Sequence, residues 1–228
     1  MKQKFLVLDV EGAGAIESAL VYDVGGVVTD SDGTIYEGFS FLVKQIINNR
    51  EIMNTAYYRN KLPIYDPKLA SGTITKKSLY NVREHIKGLL SKYNIKEVFA
   101  YNAVYDRRAL NNTQKHTTSE RYKYFLPYGI KVSCIWYLAC QVICTQKAYY
   151  DFCIANEYIT EKGNIRTTAE IVYSYITKSN FEEEHTGYED AKIESAILAV
   201  CFKKKKKMKR GINPYCWRIA QKYKKKKV

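Results

Sequence analysis

The sequence predicts an α/β domain in which a mixed sheet of five strands is flanked by helices, followed by a basic tail. Three observations carry that reading. β-Rich runs crowd the start of the chain, strands then alternate with helical segments, and 13 of the 37 Lys and Arg residues lie in Lys203–Val228, which has no acidic residue. The 228 residues suit one domain with ample chain for a core, so 1–202 reads as the domain and 203–228 as the tail. A composition 46% hydrophobic and 26% charged excludes a disordered polymer or a collagen-like chain.

Phe5 to Val10 is a short apolar run with β-branched residues ahead of Gly12 and Gly14, which reads as a buried strand. Ala19 to Thr29 and Thr34 to Val43 are two further β-rich runs. The Asp30-Ser31-Asp32-Gly33 between them ends in Asp-Gly, a hairpin signal. Ile46 to Tyr58 reads as helical, and a loop with Pro63, Pro67 and Gly72 follows. Ser78 to Tyr93 carries Leu79, Val82, Ile86, Leu89 and Leu90 at helical spacing. Glu97 to Tyr101 is the fourth predicted strand, and Val104 to Leu110 begins a helix. Lys131 to Ser133 is a short fifth strand ahead of an apolar helix through Gln146. Helices at Thr168 to Thr177 and Tyr188 to Phe202 complete the domain, the last running into the lysines.

The formal net charge of +14 belongs to the tail, because residues 1–202 carry 24 basic against 23 acidic residues. A block of like charges stays solvated or finds a polyanion, and nucleic acid is the favoured partner. A solubilising tail is the plainer alternative. No apolar run reaches the ~18 residues a spanning helix needs. Met1 to Lys4 leads into too few apolar residues for a secretory signal, so a cytoplasmic protein with no membrane partner is expected (host cytoplasm if virus-encoded). The six cysteines form no CxxC pair and have no His at finger spacing, so reduced, mostly buried thiols are expected.

Asp9 and Glu11 stand two apart at the end of the first strand, so the pleat turns both carboxylates to one face. Two such charges repel unless a cation lies between them, which suits a hard metal ion; a pair whose charges reach water is the plainer reading. Asp106 sits early in a helix, where an acid also suits the helix dipole without a further role. His185 precedes the last helix and Asp190 lies on its first turns, in His185-Thr186-Gly187-Tyr188-Glu189-Asp190-Ala191. Composition alone yields roughly 0.5 Asp-x-Glu matches and roughly 0.1 His-x4-Asp matches, so the second is the more discriminating. Asp190 could again complement a dipole, with His185 a solvated loop residue.

In this order, the pieces resemble the DEDDh 3′–5′ exonuclease superfamily, whose fold is ribonuclease H-like. Asp9-Val10-Glu11 is similar to its first motif, Asn102 ahead of Asp106 to its second, and His185 with Asp190-Ala191 to its third. The resemblance covers residues 5–202. Two departures touch substrate contacts: Gly12-Ala13-Gly14 stands where many members have Thr-rich residues, and Tyr105 where Phe is frequent. The resemblance implies that Asp9, Glu11 and Asp190 hold one divalent ion, Mg²⁺ or Mn²⁺, with Asp9 bridging to a second and Asp106 assisting. It implies His185 as general base, with Gly12, Ala13 and Asn102 beside the terminal nucleotide. The implied activity is release of nucleoside monophosphates from 3′ ends of single-stranded DNA. An exoribonuclease or oligoribonuclease and a catalytically silent nucleic-acid-binding module are the alternatives, and a polymerase or replication assembly is a candidate partner.

A rival motif is present. Asp30-Ser31-Asp32-Gly33-Thr34 matches the Asp-x-Asp-Gly-Thr signature of haloacid-dehalogenase-type phosphatases, whose first Asp is the nucleophile. No convincing acidic pair follows it, and a hairpin turn explains Asp32-Gly33 more simply.

Overall fold

The computed structural model describes residues 2–119, 121–204 and 207–224. Strands β1 (Lys4–Ala13), β2 (Leu20–Asp30) and β3 (Ile35–Val43) form an antiparallel meander. The turn between β2 and β3 follows from its residues. Asp30 Oδ1 accepts from the main-chain N–H groups of Asp32 (2.9 Å) and Thr34 (3.2 Å), and Gly33 takes φ +87° at no steric cost. Asp30 Oδ2 accepts from the Tyr36 hydroxyl at 2.8 Å, and Asp32 pairs with Lys2. The phosphatase-like motif is therefore a turn whose first carboxylate is fully committed to holding it.

Strand β4 (Thr75–Lys77) lies parallel to β3, β5 (Glu97–Ala100) parallel to β1, and β6 (Lys131–Cys134) parallel to β5. The sheet is mixed, in the order β4-β3-β2-β1-β5-β6, and has six strands rather than the five expected. The added strand, β4, is three residues long with no apolar alternation, so periodicity cannot reveal it. A short, lysine-bearing edge strand also discourages further pairing.

The helices are α1 (Lys44–Ile47), α2 (Arg50–Met53), α3 (Tyr65–Ala70), α4 (Leu79–Lys92), α5 (Ala103–Thr117), α6 (Ile135–Val142), α7 (Lys147–Ala155), α8 (Ala169–Thr177), α9 (Gly187–Lys203) and α10 (Trp217–Ala220). The single helix expected over Ile46 to Tyr58 is two short ones, because Asn49 Oδ1 accepts from Ile52 N–H and starts α2 afresh. The apolar helix expected to reach Gln146 stops at Val142, and α7 follows it. Among the described residues, no helix is long and apolar enough to cross a membrane.

Helices cover both faces of the sheet. Leu6, Leu8 and Val10 of β1 join the apolar stripe of α4, Leu79 to Leu90, in one core. Phe5 and Val7 face the other way and pack with residues of α6, α8 and α9. Asp9 and Glu11 continue that second row, at the end of the strand.

Beyond the lysine block the chain returns to the domain. Cys216 and Ala220 are fully buried in the second core, Cys134 N–H donates to Gly211 O at 3.0 Å, and Arg210 pairs with Glu97 at 2.7 Å. The lysines at 205, 206 and 225–227 lie outside the described residues. All six cysteines are buried, and none is in a disulfide.

Candidate metal centre

The site is assembled where α9 starts, and two glycines make that approach possible. In the β1–β2 register, Asp9 stands opposite Gly25 and Glu11 opposite Asp23. A Cβ on Gly25 would lie 1.9 Å from Tyr188 N, and one on Gly187 would lie 2.8 Å from Asp9 O. Only bare backbone lets the first turn of α9 rest directly on the two strands. Asp23, fully buried, fixes it there: its Oδ2 accepts from Gly187 N–H at 2.9 Å and from the Tyr65 hydroxyl at 2.8 Å.

Asp190, three residues into α9, is thereby carried onto the carboxylates of β1. Glu11, His185 and Asp190 each place one donor atom within 4.8 Å of the other two. His185 adopts a left-handed φ of +58°, uncommon for a non-glycine residue, and its ring stacks on Tyr58 at 3.9 Å and 12°. Asp106 is buried in the first turn of α5, its own N–H donating to Asn102 O at 3.3 Å.

The electrostatics are those of an uncompensated acidic cluster. Burial pushes the Asp9 carboxyl well above its ordinary range, and Glu194, Asp106, Asp190 and Glu11 add to the shift. Burial raises Glu11 to about 9, with Asp190 the next cause, and Asp190 to about 8, with Glu183 the next. Asp106 rises to about 7 by burial, although main-chain N–H groups of its own residue and Val10 oppose it. His185 moves the other way, down to about 4, through burial and then the nearby Lys61. Among the described residues, Asp9 Oδ2, Asp190 Oδ1 and Asp23 Oδ1 are buried with no hydrogen-bond partner.

Buried carboxylate oxygens without donors are costly unless a cation or a proton meets them. Asp9 and Asp190 each contribute one here, beside Glu11. An all-oxygen set with one imidazole at its edge fits a hard divalent ion. Glu11, His185 and Asp190 are the residues whose donor atoms converge to hold it, and Asp9, on the same strand as Glu11, adds an orphaned oxygen.

The remaining expected contacts are placed less simply. Asn102 is exposed at the start of α5, and its side chain makes no capping bond. A Cβ on Gly12 would lie 2.4 Å from the Tyr105 hydroxyl, so Tyr105 occupies the space beside Gly12. Ala13 is buried and bridges Ala56.

Several participants have no signal as isolated residues. Glu194 is buried one helical turn after Asp190 and accepts from Tyr101 N–H at 3.1 Å. Its i+4 spacing from Asp190 puts both on one helix face, the only hint the sequence offers. Asp23 becomes relevant once the hairpin register sets it across from Glu11. Tyr58 and Lys61 come from the strap between α2 and α3. Lys61 Nζ donates to Glu183 O at 3.2 Å, and Lys68 pairs with Glu184 at 2.7 Å, holding the strap against the His185 loop.

No family model matches the sequence, and no curated protein matches it. Solved structures do match in fold. A 3′-exonuclease that recognises the 3′ end of the histone mRNA stem-loop superposes with TM-score 0.61 at 12% identity, over 92% of this chain and 66% of that one. Escherichia coli exonuclease I bound to an oligonucleotide gives 0.57 at 15% identity, over 95% of this chain, which spans 42% of the length of that protein. Cell-death related nuclease 4 gives 0.55 at 13%, over 92% and 67%. A zinc-bound form of the exonuclease I complex with single-stranded DNA is also similar, at 0.53 and 15% identity, over 88% of this chain and 39% of that one. The fold is that of these exonucleases.

Proposed function

We propose that the protein is a divalent-metal-dependent 3′–5′ exonuclease that removes nucleoside monophosphates from single strands, DNA ahead of RNA. The observation that carries this reading is the convergence of Glu11, His185 and Asp190 within 4.8 Å of one another, with orphaned buried oxygens on Asp9 and Asp190. The exonucleases that share the fold support it, as do the matching motifs at Asn102–Asp106 and His185–Asp190.

Asp9, Glu11 and Asp190 would hold Mg²⁺ or Mn²⁺ ions, with Asp106 assisting. When bound, the ions supply a water of lowered pKa and charge stabilisation for the departing 3′ oxygen. His185 is neutral at working pH because burial holds its pKa down at about 4, so a ring nitrogen is free to take a proton from the attacking water. Glu183 lies 3.7 Å from His185 Nδ1, although burial raises its own carboxyl to about 7. Tyr58 fixes the ring from its other face. Tyr57 is 83% exposed beside it and offers a platform for a base.

A silent binding module is the weaker reading, since all five catalytic-type residues are present in the sequence. An exoribonuclease differs in substrate alone, and the neighbours include proteins described with DNA and with mRNA. A polymerase or replication assembly remains a proposed partner. The deciding experiment is digestion of 5′-labelled single-stranded DNA and RNA with Mg²⁺, beside Asp9→Ala and Asp32→Ala. A ladder shortening from the 3′ end, lost in the first variant and kept in the second, is the expected result. No ladder on either polymer, with the strands still bound, would leave the binding module.

A further inference from the structure

Helix α9 joins two unlike ends. Asp190 stands in its first turn, and Lys204 follows its last, about 21 Å further on at about 1.5 Å of rise per residue. Lys204 lines a hollow of about 860 Å³ that contains none of the acidic residues. Its wall is aromatic. Phe152 lies between Tyr175 and Tyr158, with ring centroids 5.4 Å and 5.7 Å away, and all three rings are half-buried. Lys178 and Lys204, both exposed, supply its charge. An adjoining hollow of about 690 Å³ shares Lys204 and adds Lys222. Among the described residues, none of these three lysines pairs with a carboxylate.

Half-exposed rings beside uncompensated ammonium groups match the two faces of a nucleotide. The rings take a base, and the lysines take phosphates. We propose that this hollow binds an internal nucleotide of the strand whose 3′ end lies in the acidic centre. The direction of the strand rests on the exonuclease reading given above. At about 3.4 Å per stacked nucleotide, the length of α9 sets a minimum of about six nucleotides between the contact and the end. The same surface would hold a long strand after each cut and leave very short oligonucleotides to the acidic centre alone.

The test uses the full chain and oligothymidylates of 4 and 16 residues, with binding measured in EDTA so that nothing is cut. The longer strand should bind at least tenfold more tightly, and Lys178→Glu with Lys204→Glu should remove that advantage. A single fluorescent 2-aminopurine, scanned along the longer strand, should be quenched at one position about six or more residues from the 3′ end and released by Tyr158→Ala. All three substituted residues lie outside the acidic centre, so Mg²⁺-dependent cleavage of the 4-residue strand should match the wild type. Unchanged long-strand affinity in the charge-reversed variant, or quenching insensitive to Tyr158→Ala, would overturn the proposal. Displacement of the quench by free thymidine monophosphate at equal base concentration would overturn it in favour of a mononucleotide site. Failure of the wild type to cleave either strand would instead strike the exonuclease reading and leave the binding result to stand by itself.

Discussion

Two acidic groups sit at ends of neighbouring strands, and both match an enzyme motif, yet their chemistry is opposite. At the β2–β3 turn, each oxygen of Asp30 has a donor, and Asp32 has Lys2. At the end of β1, Asp9 Oδ2 has none, and Asp190 Oδ1 beside it has none. Burial pushes the Asp30 carboxyl up, but the bonds from Tyr36, Asp32 and Thr34 outweigh it and leave the pKa below its ordinary value. Burial and like charges together push Asp9, Glu11 and Asp190 up. What separates Asp30 from Asp9 and Asp190 is the supply of donors.

The sharpest way to break that comparison is Asp190→Asn. It removes a charge and a ligand while preserving shape, so turnover should fall below detection with circular dichroism unchanged. Turnover within tenfold of the wild type would place the chemistry elsewhere. His185→Ala should cost less, roughly 10²–10⁴-fold, because it removes a proton acceptor and spares the carboxylates. Metal affinity, followed by Mn²⁺ titration, should remain within a few fold. A wild-type rate would leave His185 without a role.

Much of this architecture is legible in the residue pattern. The pleat rule puts Asp9 and Glu11 on one face, and α4 and α9 follow their apolar spacing. The Asp-Gly turn marks the β2–β3 hairpin. What escapes depends on tertiary register. Thr75–Lys77 is a strand only because Phe41–Val43 offers an edge to it. Asp23 matters because it faces Glu11 and catches Gly187, and Gly25 because α9 lands on it. The tail shows the limit of charge counting: truncation at residue 203 would remove Cys216 and Ala220 from the core along with the lysines. The salt dependence of nucleic-acid binding is therefore better probed by replacing Lys203 to Lys207 than by deletion.

A smaller effect is the pH dependence of stability without metal. Carboxyls raised in the folded state hold protons that the unfolded chain has already released near pH 4. Between about pH 5 and about 9 the folded state therefore binds more protons, and stability falls as pH rises. The Tm in EDTA should drop from pH 6 to pH 8.5. Mn²⁺ should raise it more at pH 8.5 than at pH 6, because the ion replaces those protons. A flat Tm in EDTA, or equal gains at both values, would show that the cluster is not uncompensated. Asp30 has the reverse sign. Its folded pKa is depressed, so its contribution is complete above the unfolded value and is lost as pH falls through the folded one.

The smallest expected change is also the control. Asp30→Ala deletes an acceptor that holds the N–H groups of Asp32 and Thr34 and the Tyr36 hydroxyl. Those groups sit at a surface turn and can turn to water, so the cost should be at most about 1.5–3 kcal/mol, the range for a hydrogen bond to a charged group. Turnover measured well below the new Tm should stay at the wild-type level, since no part of this turn belongs to the acidic centre. An activity loss comparable to that of Asp190→Asn would revive Asp30 as a nucleophile. An unchanged Tm would mean that its hydrogen bonds do not hold the hairpin, and the contrast between satisfied and orphaned carboxylates would lose its reference point.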